Sequence, residues 1–200
     1  MQGQMIKRLF ESRFAFLYIA LLACIVVIAK WTGLLAAGPD TYWIYTEVSK
    51  ALEMKFSVQW FKELSGNHLY IFVVAVMHSI IGEFEFSANL VSLIFHLGTV
   101  VVLYFVVRDM FANKIALLTI LIYSVMPPFV EEVINIHTNT MFIFFSTLWL
   151  FLFYRALTRN SATYFMLCVA VIALAYLVRP VGCMLVLPTA IFGFYLFWKN

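Results

Sequence analysis

Apolar residues in this chain come in long unbroken runs rather than in alternation. From Phe14 to Ala29 no polar residue interrupts the sequence, and Phe86–Val107 carries no formal charge. Ile115–Val130, Thr138–Tyr154, Ser161–Val178 and Val181–Trp198 are similar. About 20 apolar residues in a helix cross a ~30 Å hydrocarbon core, and only helices or closed barrels satisfy their backbone there. Continuous apolarity predicts helices, since a barrel strand alternates. The first run is long and no small-residue cleavage site follows cleanly. It predicts a first span over about Phe14–Leu35, with Lys30 snorkelling, rather than a signal peptide.

His68–Gly82 is too short for a comfortable span and is bounded by Gly66-Asn67 and Gly82-Glu83. Its length suits an interfacial or re-entrant helix. Loop charge decides the matter. With Lys7, Arg8 and Arg13 in the cytoplasm and His68–Gly82 not crossing, Arg108, Lys114, Arg155, Arg159 and Lys199 also fall inside. Glu83, Glu85, Glu131 and Glu132 fall outside, as the positive-inside rule requires. A crossing would put two basic loops outside. The prediction is six spans with both ends cytoplasmic.

The longest hydrophilic piece, Ala36–Asn67, lies on the outer face. Pro39-Asp40 is a helix-start signal, with Asp40 or Thr41 as cap. Ile44, Val48, Ala51-Leu52, Trp60, Phe61 and Leu64 recur at helical spacing, with lysines and glutamates between them. An amphipathic interfacial helix over about Thr41–Leu64 is predicted, anchored by Trp43 and Trp60. No repeat, linker or low-complexity stretch divides residues 1–200, which read as one transmembrane module with interfacial helices over about 36–85.

Composition agrees. The chain is 64% apolar and 12% charged, against about 45–50% and about 25% in soluble domains. So little charge covers no soluble globule, and so much apolar surface excludes disorder. Aromatics reach 18%, with 21 Phe, which suits lipid contact. The net charge of +3 is scattered and forms no basic stripe, so nucleic acid is not the partner. Cys24, Cys168 and Cys183 sit apart in apolar runs and form neither a disulfide framework nor a zinc site.

There is no phosphate-binding glycine loop and no His-Glu-x-x-His pair. His78 and His96 read as packed residues. What remains is gathered by topology. Asp40, His68, Glu131, Glu132, His137, Asn139 and Arg179 are far apart in sequence yet share the outer ends of spans. Acid–base groups plus a cation at an interface suit a lipid substrate with a phosphate headgroup. The plainer alternative is that outer loops are polar. Outside the Ala36–Asn67 loop, where glutamates alternate with Lys50, Lys55 and Lys62, Arg179, before Pro180, is the one basic residue on the wrong side for the positive-inside rule. It reads either as a phosphate ligand or as a snorkelling side chain.

The order of motifs carries a resemblance. Pro-Asp-Thr-Tyr-Trp-Ile-Tyr at 39–45 is followed by Asn-His-Leu-Tyr at 67–70 and Gly-Glu-Phe-Glu-Phe at 82–86. Then come Arg-Asp-Met-Phe at 108–111, the run Ala116–Pro127, Tyr-Arg-Ala-Leu at 154–157 and Leu-Val-Arg-Pro-Val-Gly at 177–182. Over about residues 10–198 the chain resembles the N-terminal membrane module of GT-C glycosyltransferases, in the protein O-mannosyltransferase and aminoarabinose transferase group.

The resemblance implies an all-α polytopic membrane protein of the plasma membrane that transfers a sugar from a polyprenyl-phosphate donor to an acceptor on the outer face, inverting the anomeric carbon. It makes Asp40 the general base, His68 and Arg179 ligands of the donor phosphate, and Asn139 the occupant of a position often held by an acid. By their shared outer position rather than by the resemblance, Glu131, Glu132 and His137 are expected to line the substrate site, with Glu131 or Glu132 standing in for the acid replaced at Asn139. A second acid common after the base is Thr41 here, and the usual Pro-Pro after the His or Lys is Leu69-Tyr70. The implied partners are the lipid-linked sugar and membrane lipid. No cofactor is implied, and a divalent metal is left open. Relatives usually continue for several more spans, so the expectation is a fragment, a truncated or split member, or a short relative without activity. The alternative reading is a non-catalytic membrane subunit or a lipid-carrier transporter.

Overall fold

A computed structural model describes residues 39–57, 59–60 and 67–199, and among these every regular element is helical. The expected first span, Phe14–Leu35, lies outside the described residues.

Helix α1 (Pro39–Glu53) has the expected amphipathic character. Thr41, Ile44, Val48 and Ala51 are buried at spacings of three and four, while Tyr42, Lys50 and Glu53 face outward. Lys50 bridges Glu47 on the exposed face at 2.8 Å. The helix begins at Pro39, so Asp40 and Thr41 lie inside its first turn rather than capping it as expected, and it does not continue to Leu64 but stops at Glu53. The Lys55 N–H bonds the Leu52 carbonyl at 3.2 Å and the Phe56 N–H bonds the Ala51 carbonyl at 3.1 Å. This pair of bonds is a Schellman cap with Lys55 in the left-handed region, φ 48°. Phe56 is left-handed as well, φ 52°, and each non-glycine there costs about 1–2 kcal/mol. Packing of the partly buried Phe56 ring against the core offsets part of that strain. The reversed chain seats Phe56 edge-on against Trp60, centroids 5.6 Å apart, and against Phe72 at 5.1 Å. Trp60, expected as an interface anchor, is instead a core residue at 2% exposure, and Trp43 packs partly buried against the same core.

Helix α2 (His68–Ile81) has 14 residues, about 21 Å at 1.5 Å per residue, and is too short to cross. Tyr70, Ile71, Val74 and Ala75 form its buried face. Burial pushes the Tyr70 phenol above the ordinary tyrosine range, so the ring packs there neutral. The helix ends at Gly82, φ 83°, whose N–H bonds the His78 carbonyl at 2.7 Å. That left-handed conformation is why glycine stands there.

Helices α3 (Phe84–Met110) and α6 (Asn139–Arg159) are the two described helices long and apolar enough to cross a membrane. Between them, the expected straight span Ile115–Val130 is broken. Helix α4 (Asn113–Val125) and α5 (Pro127–Ile134) meet at a 66° bend. Pro127 and Pro128 open α5, and the residue before a proline avoids the helical region. Met126 accordingly adopts φ −68°, ψ 122°. Counted as one span, the bent pair makes three. Helix α7 (Ala162–Val178) follows, then a 3-10 segment (Pro180–Leu185) and α8 (Val186–Lys199). The expected continuous helix Val181–Trp198 therefore begins in 3-10 geometry, which runs as far as Leu185.

Short turns make α3, α4, α6 and α7 run up and down. One end of the bundle is tied by charge. Asp109 accepts from Arg155, its backbone carbonyl accepts from the Tyr154 hydroxyl at 3.1 Å, and the Tyr104 hydroxyl donates to Asn113 at 2.6 Å. The core continues through Ala88, Val91, Met141, Phe145, Leu152, Cys168, Val171, Ala175 and Val178, joined by the buried faces of α1 and α2. Cys168 is buried and Cys183 exposed, both as free thiols, and Cys24 lies outside the described residues.

Within this core α3 carries a buried polar stripe. Asn89, Ser92, His96 and Thr99 follow one another at spacings of three and four, all nine-tenths buried or more. Their positions place them on one helix face. His96 packs as the sequence indicates, stacked on Tyr123 with centroids 5.2 Å apart.

Candidate functional site

Opposite the Asp109 end, the local sequence shapes the end of α7. Pro180 keeps Arg179 out of the helical region, and Arg179 caps α7 in an extended conformation, φ −148°, ψ 133°. Its N–H still bonds the Ala175 carbonyl at 2.9 Å, and its own carbonyl accepts from the Gly182 N–H at 2.9 Å. Gly182 lies directly on the last turn of α7. A Cβ there would stand 2.7 Å from the Ala175 carbonyl carbon and from the Tyr176 nitrogen. The missing side chain is what lets the 3-10 segment fold back and hold Arg179 from both sides.

The Arg179 guanidinium donates through Nη1 to Oδ1 of Asn139, the first residue of α6. The amide Nδ2 of Asn139 donates to Glu132 Oε1 on α5 at 2.8 Å. Three expected site residues, from three elements, thus form one line. The bend at Met126 serves this arrangement, since it turns α5 away from α4 and brings Glu132 to the start of α6. The Glu132 Oε2 is buried with no hydrogen-bond partner among the described residues. Glu131, its neighbour, is exposed.

His137 lies in the short connection before α6, where its carbonyl accepts from the Thr140 hydroxyl at 3.5 Å. His68 opens α2 with its ring edge-on to Trp60, centroids 6.4 Å apart. Asp40 stands in the first turn of α1, and its side chain lies outside the described residues. Among the described residues no three of His, Cys, Asp and Glu gather as a metal site.

Sequence reading named Glu132, Asn139 and Arg179 separately, without their connection. It missed the stripe Asn89, Ser92, His96 and Thr99, although the three–four–three spacing was there to find.

A profile of the dolichyl-phosphate-mannose-protein mannosyltransferase family matches residues 68–200. The chain belongs to this family. Membership makes it an integral membrane protein and a membrane glycosyltransferase of the GT-C type. The matched stretch includes His68, Glu131, Glu132, His137, Asn139 and Arg179, and begins after Asp40. No curated protein and no solved structure matches the chain.

Proposed function

We propose that this mannosyltransferase-family chain moves a sugar from a polyprenyl-phosphate carrier to an acceptor on the outer face of the plasma membrane. Six spans and a cytoplasmic N-terminus belong to the same reading, with the Arg179 end of the bundle outside. The observation that carries it is the line Arg179–Asn139–Glu132, which presents an oriented guanidinium at the end of the bundle away from Arg108 and Arg155. An arginine fork matches phosphate oxygens, and pairing with them favours a phosphate leaving group.

In this scheme Asp40 takes the proton of the acceptor hydroxyl or amine. The acceptor attacks the anomeric carbon in line as the bond to the carrier phosphate breaks, inverting that carbon. Arg179, with His68, holds the departing polyprenyl phosphate. Stabilising charge that develops on the leaving group is usually the largest catalytic effect in such a site. Glu131 and His137 stand beside this end as contacts for sugar or acceptor. The proton resides on Asp40 after transfer and returns to water when product leaves.

The experiment is sugar transfer by the purified full-length protein in lipid nanodiscs. Wild-type protein given a radiolabelled polyprenyl-phosphate mannose is expected to release polyprenyl phosphate and label an acceptor. Lipid binding without any release of sugar would favour the non-catalytic lipid-carrier reading instead.

A further inference from the structure

Among the described residues Arg179 forms no ion pair with a carboxylate. It meets a neutral amide, and a carboxylate stands behind that amide. We propose that Asn139 is the positioning residue for Arg179, and that Glu132 sets which way round the Asn139 amide sits. The inference rests on the reading of Arg179 as a ligand of the donor phosphate, and it assigns Asn139 and Glu132 a role through Arg179 rather than contact with substrate.

The hydrogen-bonding inventory gives the reason. A guanidinium only donates, and an ionised carboxylate only accepts. An Asn amide offers one end of each kind, and nothing in its own shape selects between its two orientations. Glu132 can bind only the NH2 end. Once Nδ2 is turned to Glu132, Oδ1 faces Arg179 and accepts from it. In the opposite orientation, NH2 would face guanidinium, donor against donor. The Glu132 Oε1 accepts from the Asn139 amide while its Oε2 is buried with no partner among the described residues, so the Asn139 amide is the described group that Glu132 orients.

The electrostatic consequence separates this device from a salt bridge. A carboxylate in direct contact would hold the guanidinium but offset the charge a phosphate needs. An amide holds it while the carboxylate stays one side chain further off, and Coulomb attraction falls with distance. Asn139 occupies one N–H of a five-donor fork, and the fork's planar geometry supports bidentate contact with phosphate through its other edge. The segment before Arg179 is fixed by α7 and the segment after it by the Gly182 turn. Asn139 then fixes the remaining freedom, that of the long side chain.

The test is a double-mutant cycle on binding of farnesyl phosphate, the probe, to the full-length protein in nanodiscs. Arg179→Ala is expected to weaken binding about tenfold or more, the loss of a charge-assisted hydrogen bond. Asn139→Ala is expected to weaken it about fivefold to tenfold beside Arg179, and to add nothing in the Arg179→Ala background. Glu132→Ala is expected to behave like Asn139→Ala. Glu132→Gln keeps an acceptor oxygen and is expected to lose less than Glu132→Ala. Binding unchanged by Asn139→Ala would overturn the assignment. An equal loss in both backgrounds would also overturn it, by showing that Asn139 touches the lipid itself or acts on the fold. Binding unaffected by Arg179→Ala would instead remove the phosphate reading beneath it, and this proposal with it.

Discussion

Arg179 is held by its neighbours in sequence and aimed by a residue forty positions away. Proline and glycine explain the first part. The second part, the bond to Asn139, has no local signature. That difference guides the residue-scale predictions. Arg179→Lys keeps a charge but loses the planar fork. It is expected to raise the donor KM severalfold with a smaller effect on kcat, measured by transfer from polyprenyl-phosphate mannose. Asp40 sits inside the first turn of α1, so a purely structural role at the helix N-terminus is its competing explanation. Asn keeps the size and an acceptor oxygen and gives up only a dipole interaction of about 0.3–1 kcal/mol, but it cannot take a proton. Asp40→Asn is therefore expected to lower kcat by about 10²–10⁴-fold, the usual loss for a general base. Thermal unfolding should be nearly unchanged. Transfer within about threefold of wild type would leave Asp40 a structural residue of the first turn.

At the scale of elements, sequence patterning worked where a single local rule was in force. Helices α3, α6 and α7 begin within about two residues of the starts read from Phe86, Thr138 and Ser161. Their apolar runs are bounded by polar or turn residues. The end of α1 was not legible. Lys55 and Phe56 carry none of the glycine signal that usually marks a left-handed cap, and the partners that draw Phe56 back are Trp60 and Phe72. A tertiary contact overrode local periodicity. Likewise the run Ile115–Val130 looks continuous by hydropathy, although Pro127-Pro128 announced the break. For Glu132, Asn139 and Arg179, a common end of the bundle could be inferred from topology. The line through Glu132 could not, because it depends on the α4–α5 bend. Two substitutions test these accounts. Lys55→Gly removes left-handed strain and is expected to stabilise the protein by about 1 kcal/mol. Gly182→Ala places a Cβ 2.7 Å from the Ala175 backbone. It is expected to destabilise by about 1–3 kcal/mol as an overpacked contact. Detergent-solubilised thermal unfolding measures both, and Gly182→Ala should also weaken donor binding because it displaces Arg179.

For the whole molecule, the two ends of the bundle differ in chemistry, and that difference fixes what an orientation experiment must show. One end holds Arg108, Asp109, Arg155 and Arg159, with the Arg108 guanidinium over the Phe105 ring at 4.7 Å and Arg155 paired to Asp109. The other holds Glu131, Glu132, Asn139 and Arg179. Basic residues favour the cytoplasmic side, so the first end should be inside. Single cysteines placed at Asn113, Asn160 and Glu131, in a chain whose three native cysteines are replaced by serine, sample both ends. Asn113 opens α4 and Asn160 closes α6, each at a turn of the basic end. Glu131 is exposed at the opposite end. A membrane-impermeant maleimide added to intact cells is expected to label Glu131→Cys and to spare the other two until the membrane is permeabilised. The substitutions are tolerable on local grounds. Asn113 gives up one hydrogen bond from Tyr104, worth about 1 kcal/mol, and Asn160 has φ 47°, where cysteine costs a similar ~1–2 kcal/mol. Labelling of Asn113→Cys and Asn160→Cys from outside, with Glu131→Cys protected, would invert the bundle. It would put Arg179 on the cytoplasmic face and make an outward-facing sugar transfer at that residue impossible. Labelling at one turn but not the other would mean that a described helix between them does not cross, and would break the six-span arrangement at that helix.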